Sequence, residues 1–220
     1  MVDPGEAVAS GGKVLAASWN GRRWRVDSVS GLSVPGLTPV DLSCSSVRFC
    51  MAVTDLDAEA TGYSVAAEQD DRAYVWHGRN WSRVAWPDQH VAPSALACAS
   101  QGSCLAVAVQ AGPHVPPAAS DRWLRWDGRR WALQARPMPG AIVVTSVSCA
   151  TSGRCMAVGA SRTDDVALDV AGSDYWDGRA WQVAGGPPTV SGSGAIEAVA
   201  CLQARSCLAV VGAYWTHWRT

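Results

Sequence analysis

One phenylalanine, Phe49, against twelve tryptophans is the first imbalance of this chain. A core that filled itself opportunistically would mix its aromatics, so Trp is required at particular positions. Charge is also scarce. Charged residues make up 17% of the chain and the net charge is −1, which excludes a dedicated nucleic-acid binder with its usual basic excess. Lysine occurs once, at Lys13; the other basic residues are arginines. No apolar run approaches the roughly 20 residues of a membrane-spanning helix, so no membrane insertion is expected. Met1–Gly12 has neither the basic start nor the apolar stretch of a secretory signal. No window carries helical periodicity. What remains is 48% hydrophobic, enough for a substantial core and too apolar for a disordered chain.

What is present is repetition. Eight cysteines form four Cys-x5-Cys pairs, Cys44/Cys50, Cys98/Cys104, Cys149/Cys155 and Cys201/Cys207, with first cysteines 54, 51 and 52 residues apart. A second mark, Trp-x-Gly-Arg-x-Trp, occurs at 19–24, 76–81, 126–131 and 176–181 and alternates with the first. Each unit reads as four short strands. Residues 146–149 and 155–158 flank a turn of polar and Gly composition, a third strand ends at Trp176, and Trp181 opens the fourth after an Asp-Gly turn. Antiparallel four-stranded units of about 50 residues have the size of a propeller blade, and repeated Trp suits the packing between blades.

Here the chain resembles bacterial secreted β-propeller repeat proteins related to kelch and Asp-box (sialidase-like) blades. The resemblance is carried by Ser-Val-Ser-Cys-x5-Cys-Met-Ala-Val-Gly at 146–159 and Tyr-Trp-Asp-Gly-Arg-Ala-Trp at 175–181, with Asn20 and His77 standing where the other two turns have Asp. It implies an all-β propeller and leaves activity open, because propellers host many unrelated functions. The chain is expected to be a single domain, with an N-terminal half-blade at about 13–27, blades at about 40–86, 94–135 and 143–184, and a C-terminal half-blade at about 196–213. Pairing of the two half-blades would give a four-bladed ring with a composite closing blade. The alternatives are a half-ring completed by a second chain, or a segment of a larger propeller.

Cysteines bridging a five-residue turn are expected as strand-to-strand disulfides, hence an oxidising compartment, extracellular or at the cell surface. Zinc prefers closer cysteines with histidine nearby, and His77, His90, His114 and His217 show no such spacing. The short repeated turns are expected on one face of the ring. The long, non-repeating connections fall on the other, where recognition loops usually lie. Candidate binding residues there are Asp55, Asp57, Glu59, Asp70, Asp71, His114, Arg162, Asp164, Asp165 and Asp169. No cofactor is expected. Calcium on the Asp-x-Asp-x-Glu run is the weaker alternative, since Ala60 occupies the place of the glycine of an EF-hand loop. The arginines after the turn glycines, Arg22, Arg79, Arg129 and Arg179, are read as structural, stacking on Trp or pairing with Asp127 and Asp177. The leading reading is a binding module for glycan or protein, with partner unknown and a monomer expected. The alternatives are a glycosidase-like propeller, for which Tyr63 and a carboxylate pair would be needed, and a structural spacer.

Overall fold

The computed structural model describes residues 16–27, 37–56, 73–88, 90–110, 121–136, 138–140, 142–161, 170–186, 193–204 and 206–214. All sixteen elements are strands. A two-stranded hairpin, β1 (Ala16–Trp19) and β2 (Trp24–Asp27), comes first. Blade 1 follows as β3 (Leu37–Ser46), β4 (Phe49–Leu56), β5 (Ala73–Trp76) and β6 (Trp81–Val84). Blade 2 is β7 (Val91–Ser100), β8 (Ser103–Gln110), β9 (Asp121–Trp126) and β10 (Trp131–Leu133). Blade 3 is β11 (Ile142–Thr151), β12 (Arg154–Ser161), β13 (Val170–Trp176) and β14 (Trp181–Val183). A second hairpin, β15 (Ser193–Gln203) and β16 (Ser206–Tyr214), ends the series. Each blade is an antiparallel meander in chain order. The inner strands are longer than the four-residue stretches of the motif: β11 has 10 residues and β12 has 8.

The two sequence marks meet in one row across each blade. Register places Cys98 opposite Cys104, Cys104 opposite Trp126, and Trp126 opposite Trp131. Blades 1 and 3 repeat it as Cys44–Cys50–Trp76–Trp81 and Cys149–Cys155–Trp176–Trp181. Residues opposite one another point to the same side, so disulfide and Trp pair share one face. All four disulfides form, with Cα atoms 3.9–4.0 Å apart, as expected of the close, non-hydrogen-bonded pairs of an antiparallel ladder. Their presence implies an oxidising environment. The paired Trp rings lie 5.7–5.8 Å apart in all four Trp hairpins, tilted rather than stacked.

Alternation along the second strand explains the repeated Cys-[Met/Leu]-Ala-Val. Cys104 and Ala106 face blade 1, in a cluster with Met51 and Val53. Leu105 and Val107 face blade 3, in a cluster with Val147 and Ala157. Each blade therefore presents large residues to its successor and a small alanine to its predecessor, so the inner strands interlock. Ile196 and Val199 of the last hairpin pack in the same way on Val158 and Ala171 of blade 3.

Side-chain oxygens of the innermost strands stitch alternate junctions. The Cys98 and Leu96 amides donate to Ser43 Oγ (2.9 Å) and Asp41 Oδ2 (2.8 Å) of blade 1. The Cys201 and Val199 amides donate to Ser148 Oγ (2.9 Å) and Ser146 Oγ (3.3 Å) of blade 3. A non-hydrogen-bonded pair aims its amides away from its partner strand, which frees these donors for the preceding blade. Between blades 2 and 3 the same positions are Ala95 and Ala97, both buried, and the junction is apolar. A register shift recurs at one place in every inner hairpin: Pro39/Asp41, Pro93/Ala95, Val144/Ser146 and Ile196/Ala198. Pro39 and Pro93 sit at this bulge on the innermost strand, where the ladder tolerates a missing donor.

The ring closure expected of the terminal hairpins is absent from this structure. Among the described residues β1 pairs with β2 alone and β15 with β16 alone, in separate sheets. Each hairpin is held instead by face packing on its neighbouring blade, Ala16 on the Tyr74–Trp81 cluster and Ile196 on Val158. That packing buries apolar surface without requiring an edge partner.

Candidate functional site

The short turns assemble one rim of the array. The Gly128 backbone lies against Gly102, and Gly178 against Gly153, so the Trp turn and the Cys turn of a blade touch. Trp76 and Trp126 donate their indole N–H to Val47 O (3.3 Å) and Gln101 O (3.1 Å) of that neighbouring turn. The turn glycines Gly21, Gly78, Gly128 and Gly178 have φ between +82° and +98°, a region a side chain disfavours. Asp127 Oδ1 accepts from the Arg129 and Arg130 amides, and Asp177 Oδ1 from those of Arg179 and Ala180. The amides of Arg130 and Arg129 hold the Asp127 carboxyl below its ordinary value, and those of Ala180 and Arg179 do the same for Asp177. Asn20 makes the same pair of bonds with its amide oxygen, both 3.0 Å, so its departure from Asp preserves the turn. Arg22, Arg129 and Arg179 enter these turns through their backbone amides, and the ion pair at Asp127 comes from Arg130, both partners exposed.

The opposite rim carries the long connections. Among the candidate binding residues Asp55 alone is described. It lies half-buried on β4 opposite Thr38, whose hydroxyl donates to Asp55 O at 3.1 Å. Asp57, Glu59, Asp70, Asp71, His114, Arg162, Asp164, Asp165 and Asp169 lie outside the described residues, as does Tyr63. Of the other tyrosines, Tyr74 is buried in the blade 1 cluster and Tyr175 reaches Ala204 O at 3.4 Å. Both are structural, as the sequence suggests.

A feature that motif reading missed is an open pocket of about 370 Å³ on the face of blade 1 that looks away from blade 2. Ala52, Tyr74 and Trp81 line it from the blade, Pro39, Val40 and Leu42 from the innermost strand, and Ala16 from β1. Asp41 also borders it, with Oδ1 accepting from the Leu42 amide at 2.7 Å and Oδ2 engaged by Leu96. That carboxylate is committed to structure rather than poised for chemistry. The signal was present in the alignment of the repeats. Leu42 occupies the position of Leu96 and Val147, both buried against the preceding blade, yet Leu42 is 58% exposed.

Asp174 is a third unusual residue. It occupies the place of Tyr74 and Leu124 in the other blades and is fully buried. Oδ2 accepts from the Gly140 amide at 3.0 Å, which pins the connection between blades 2 and 3. Oδ1 has no hydrogen-bond partner among the described residues. Burial raises its carboxyl above the ordinary value, and the Gly140 bond opposes that in part.

No family model matches the chain. No curated protein matches it either. Among solved structures it is similar to YCF48 bound to D1 peptide, at 12% identity and a TM-score of 0.43, over 67% of this chain and 39% of that one. It is also similar to the GH74 xyloglucanase from Xanthomonas campestris, at 18% identity and a TM-score of 0.39, over 62% of this chain and 18% of that one. The match thus spans well under two thirds of the length of either protein.

Proposed function

We propose that this chain is an extracellular interaction module that recognises a glycan or protein ligand through the variable loops of one rim. One observation carries the reading: the recurring side chains with chemistry to offer are engaged inside the array. The cysteines are disulfide-bonded, the turn acids Asp127 and Asp177 bind backbone amides, and Asp41, Ser43, Ser146 and Ser148 join neighbouring blades. Recognition is thereby left to positions that do not recur. The inner hairpins support such loops well, since their strands of 8–11 residues run beyond outer strands of 3–7 residues. Kinship of the Trp-Asp-Gly turn to an Asp-box belongs with this proposal and concerns the scaffold alone.

The test is a glycan array and a protein pull-down with the parent chain and with a variant whose 57–71 loop is replaced by a short Gly/Asn turn. Ligand capture by the parent, lost in the variant at unchanged melting temperature, is the expected result. Hydrolysis of fluorogenic glycosides, abolished by Asp55→Asn or Asp164→Asn, would replace this reading with the glycosidase one.

A further inference from the structure

The two ends of the array are complementary halves of one blade. The N-terminal hairpin β1–β2 is an outer hairpin, carrying the Trp pair, and lacks an inner hairpin beside it. The C-terminal hairpin β15–β16 is an inner hairpin, carrying the disulfide, and lacks an outer one. In the three complete blades the second cysteine stands opposite the first tryptophan. By the same register Cys207 would stand opposite Trp19.

The faces agree as well as the edges. Leu208 and Val210 stand at the positions of Leu105 and Val107 in the repeat. The latter pair is 5% and 0% exposed beneath the following blade; Leu208 and Val210 are 70% and 65% exposed. With Ala198 and Ala200 on the neighbouring strand they form an apolar face shaped for a successor blade. The pocket of blade 1 is the matching vacancy, because Leu42 and Ala52 there correspond to Leu96 and Ala106, which an inner hairpin covers in blade 2. The polar groups match too. Ala198 and Ala200 offer no side-chain oxygen, as Ala95 and Ala97 do not, and the Leu42 amide is already satisfied by Asp41. The new junction would be of the apolar kind seen between blades 2 and 3.

We propose that the β15–β16 hairpin of a second copy of this chain docks into the open half of blade 1, pairs β16 with β1, and completes a four-stranded blade in trans. A second copy is the occupant because the chain's own β16 is in a different sheet from its own β1, with the three blades between them in sequence and packing. The contact is heterologous, and two chains close it reciprocally, each providing both halves. Two copies then amount to eight blades, within the range that propeller rings adopt. Trp19 and Trp24, now 52% and 68% exposed, would meet the blade 3 surface of the partner.

The test measures mass against concentration by light scattering and sedimentation for the 220-residue chain and for Leu42→Asp and Leu208→Asp. Both sites are exposed in the monomer, so each variant should keep the parent's near-ultraviolet dichroism and melting temperature at low concentration. The parent should reach twice 23.1 kDa, and each variant should weaken association by roughly 30-fold or more, the effect of one buried anchor residue. An equimolar mixture of the two variants keeps one intact junction and should associate more tightly than either variant alone. A parent that stays monomeric overturns the proposal, as does association indifferent to both substitutions. Hydrogen-exchange protection of β1 and β16 in a species of monomer mass would mean closure within one chain, and would overturn it equally.

Discussion

At the scale of single residues, the aspartates divide by what surrounds them. Asp177 sits in an exposed turn and gains two backbone amides on folding, so its carboxyl titrates below the ordinary value of 3.8. Its contribution is present above that value and is lost as pH falls through the folded value. Asp174 has the opposite sign. Its raised folded value means that folding is favoured while the acid is neutral, and that this advantage disappears as pH rises. Asp174→Asn keeps an oxygen for the Gly140 amide and removes the ionisable group. It should stabilise the chain at pH 7 by about 1 kcal/mol, and the gain should shrink towards zero below the ordinary aspartate value. Urea melts of parent and variant at pH 3.5 and pH 7 check this, and equal differences at both would refute it. Asp177→Ala should lower the melting temperature at pH 7 with little effect at pH 3, whereas Asp177→Asn should resemble the parent at both, because Asn20 already makes that turn with an amide. The turn was legible from the sequence as a Gly turn before Trp. The carboxylate's amide bonds were not, and Asp174 passed unnoticed because its burial depends on the connection beneath it.

At the scale of elements, the hairpins were the most legible part, because both motifs recur and each is local. Cys-x5-Cys specified a hairpin and a disulfide, and Trp-x-Gly-Arg-x-Trp specified a second hairpin; register then joined them in one row. The recurring bulge and the amide-to-Ser bonds between blades were hidden, since they involve residues that differ from copy to copy, such as Asp41, Ala95 and Ser146. Replacing the Cys98–Cys104 bridge by two alanines should cost about 2 kcal/mol, the loop-closure entropy of a short crosslink. The Cys98 amide keeps its Ser43 acceptor, so the blade should persist. Ala106→Leu should cost a comparable 1–3 kcal/mol for a different reason, since the interlocked strands leave no room where Ala106 faces Met51 and Val53. Thermal unfolding with the bridge intact and reduced separates the effects: reduction should leave the double-alanine variant closer to the parent and the Ala106→Leu deficit unchanged.

At the scale of the whole molecule, stability is set by which faces are covered. Blade 2 is packed on both faces, through the clusters it shares with blades 1 and 3. Blade 1 is open beside Leu42, and the last hairpin is open at Leu208 and Val210. Closure was the least legible property, because the motifs name the halves of a blade without saying which chain supplies each half. A linear array of this kind holds its free energy as blade terms plus nearest-neighbour junctions. Hydrogen exchange of the dilute monomer should follow that sum. Amides of β8 should exchange slowest, near the global unfolding rate, and those of β1–β2 and β15–β16 at least about tenfold faster, a difference of only about 1.4 kcal/mol. Leu105→Ala places the lesion in the junction between blades 2 and 3, at a cost of about 2–4 kcal/mol. Protection should then fall in β11–β13 and on that side of blade 2, while β4 and β5, held by the junction of blades 1 and 2, keep theirs more fully. A uniform loss across all blades would show instead that the array unfolds as one cooperative unit, with the junctions too strong to be separated by a single truncation.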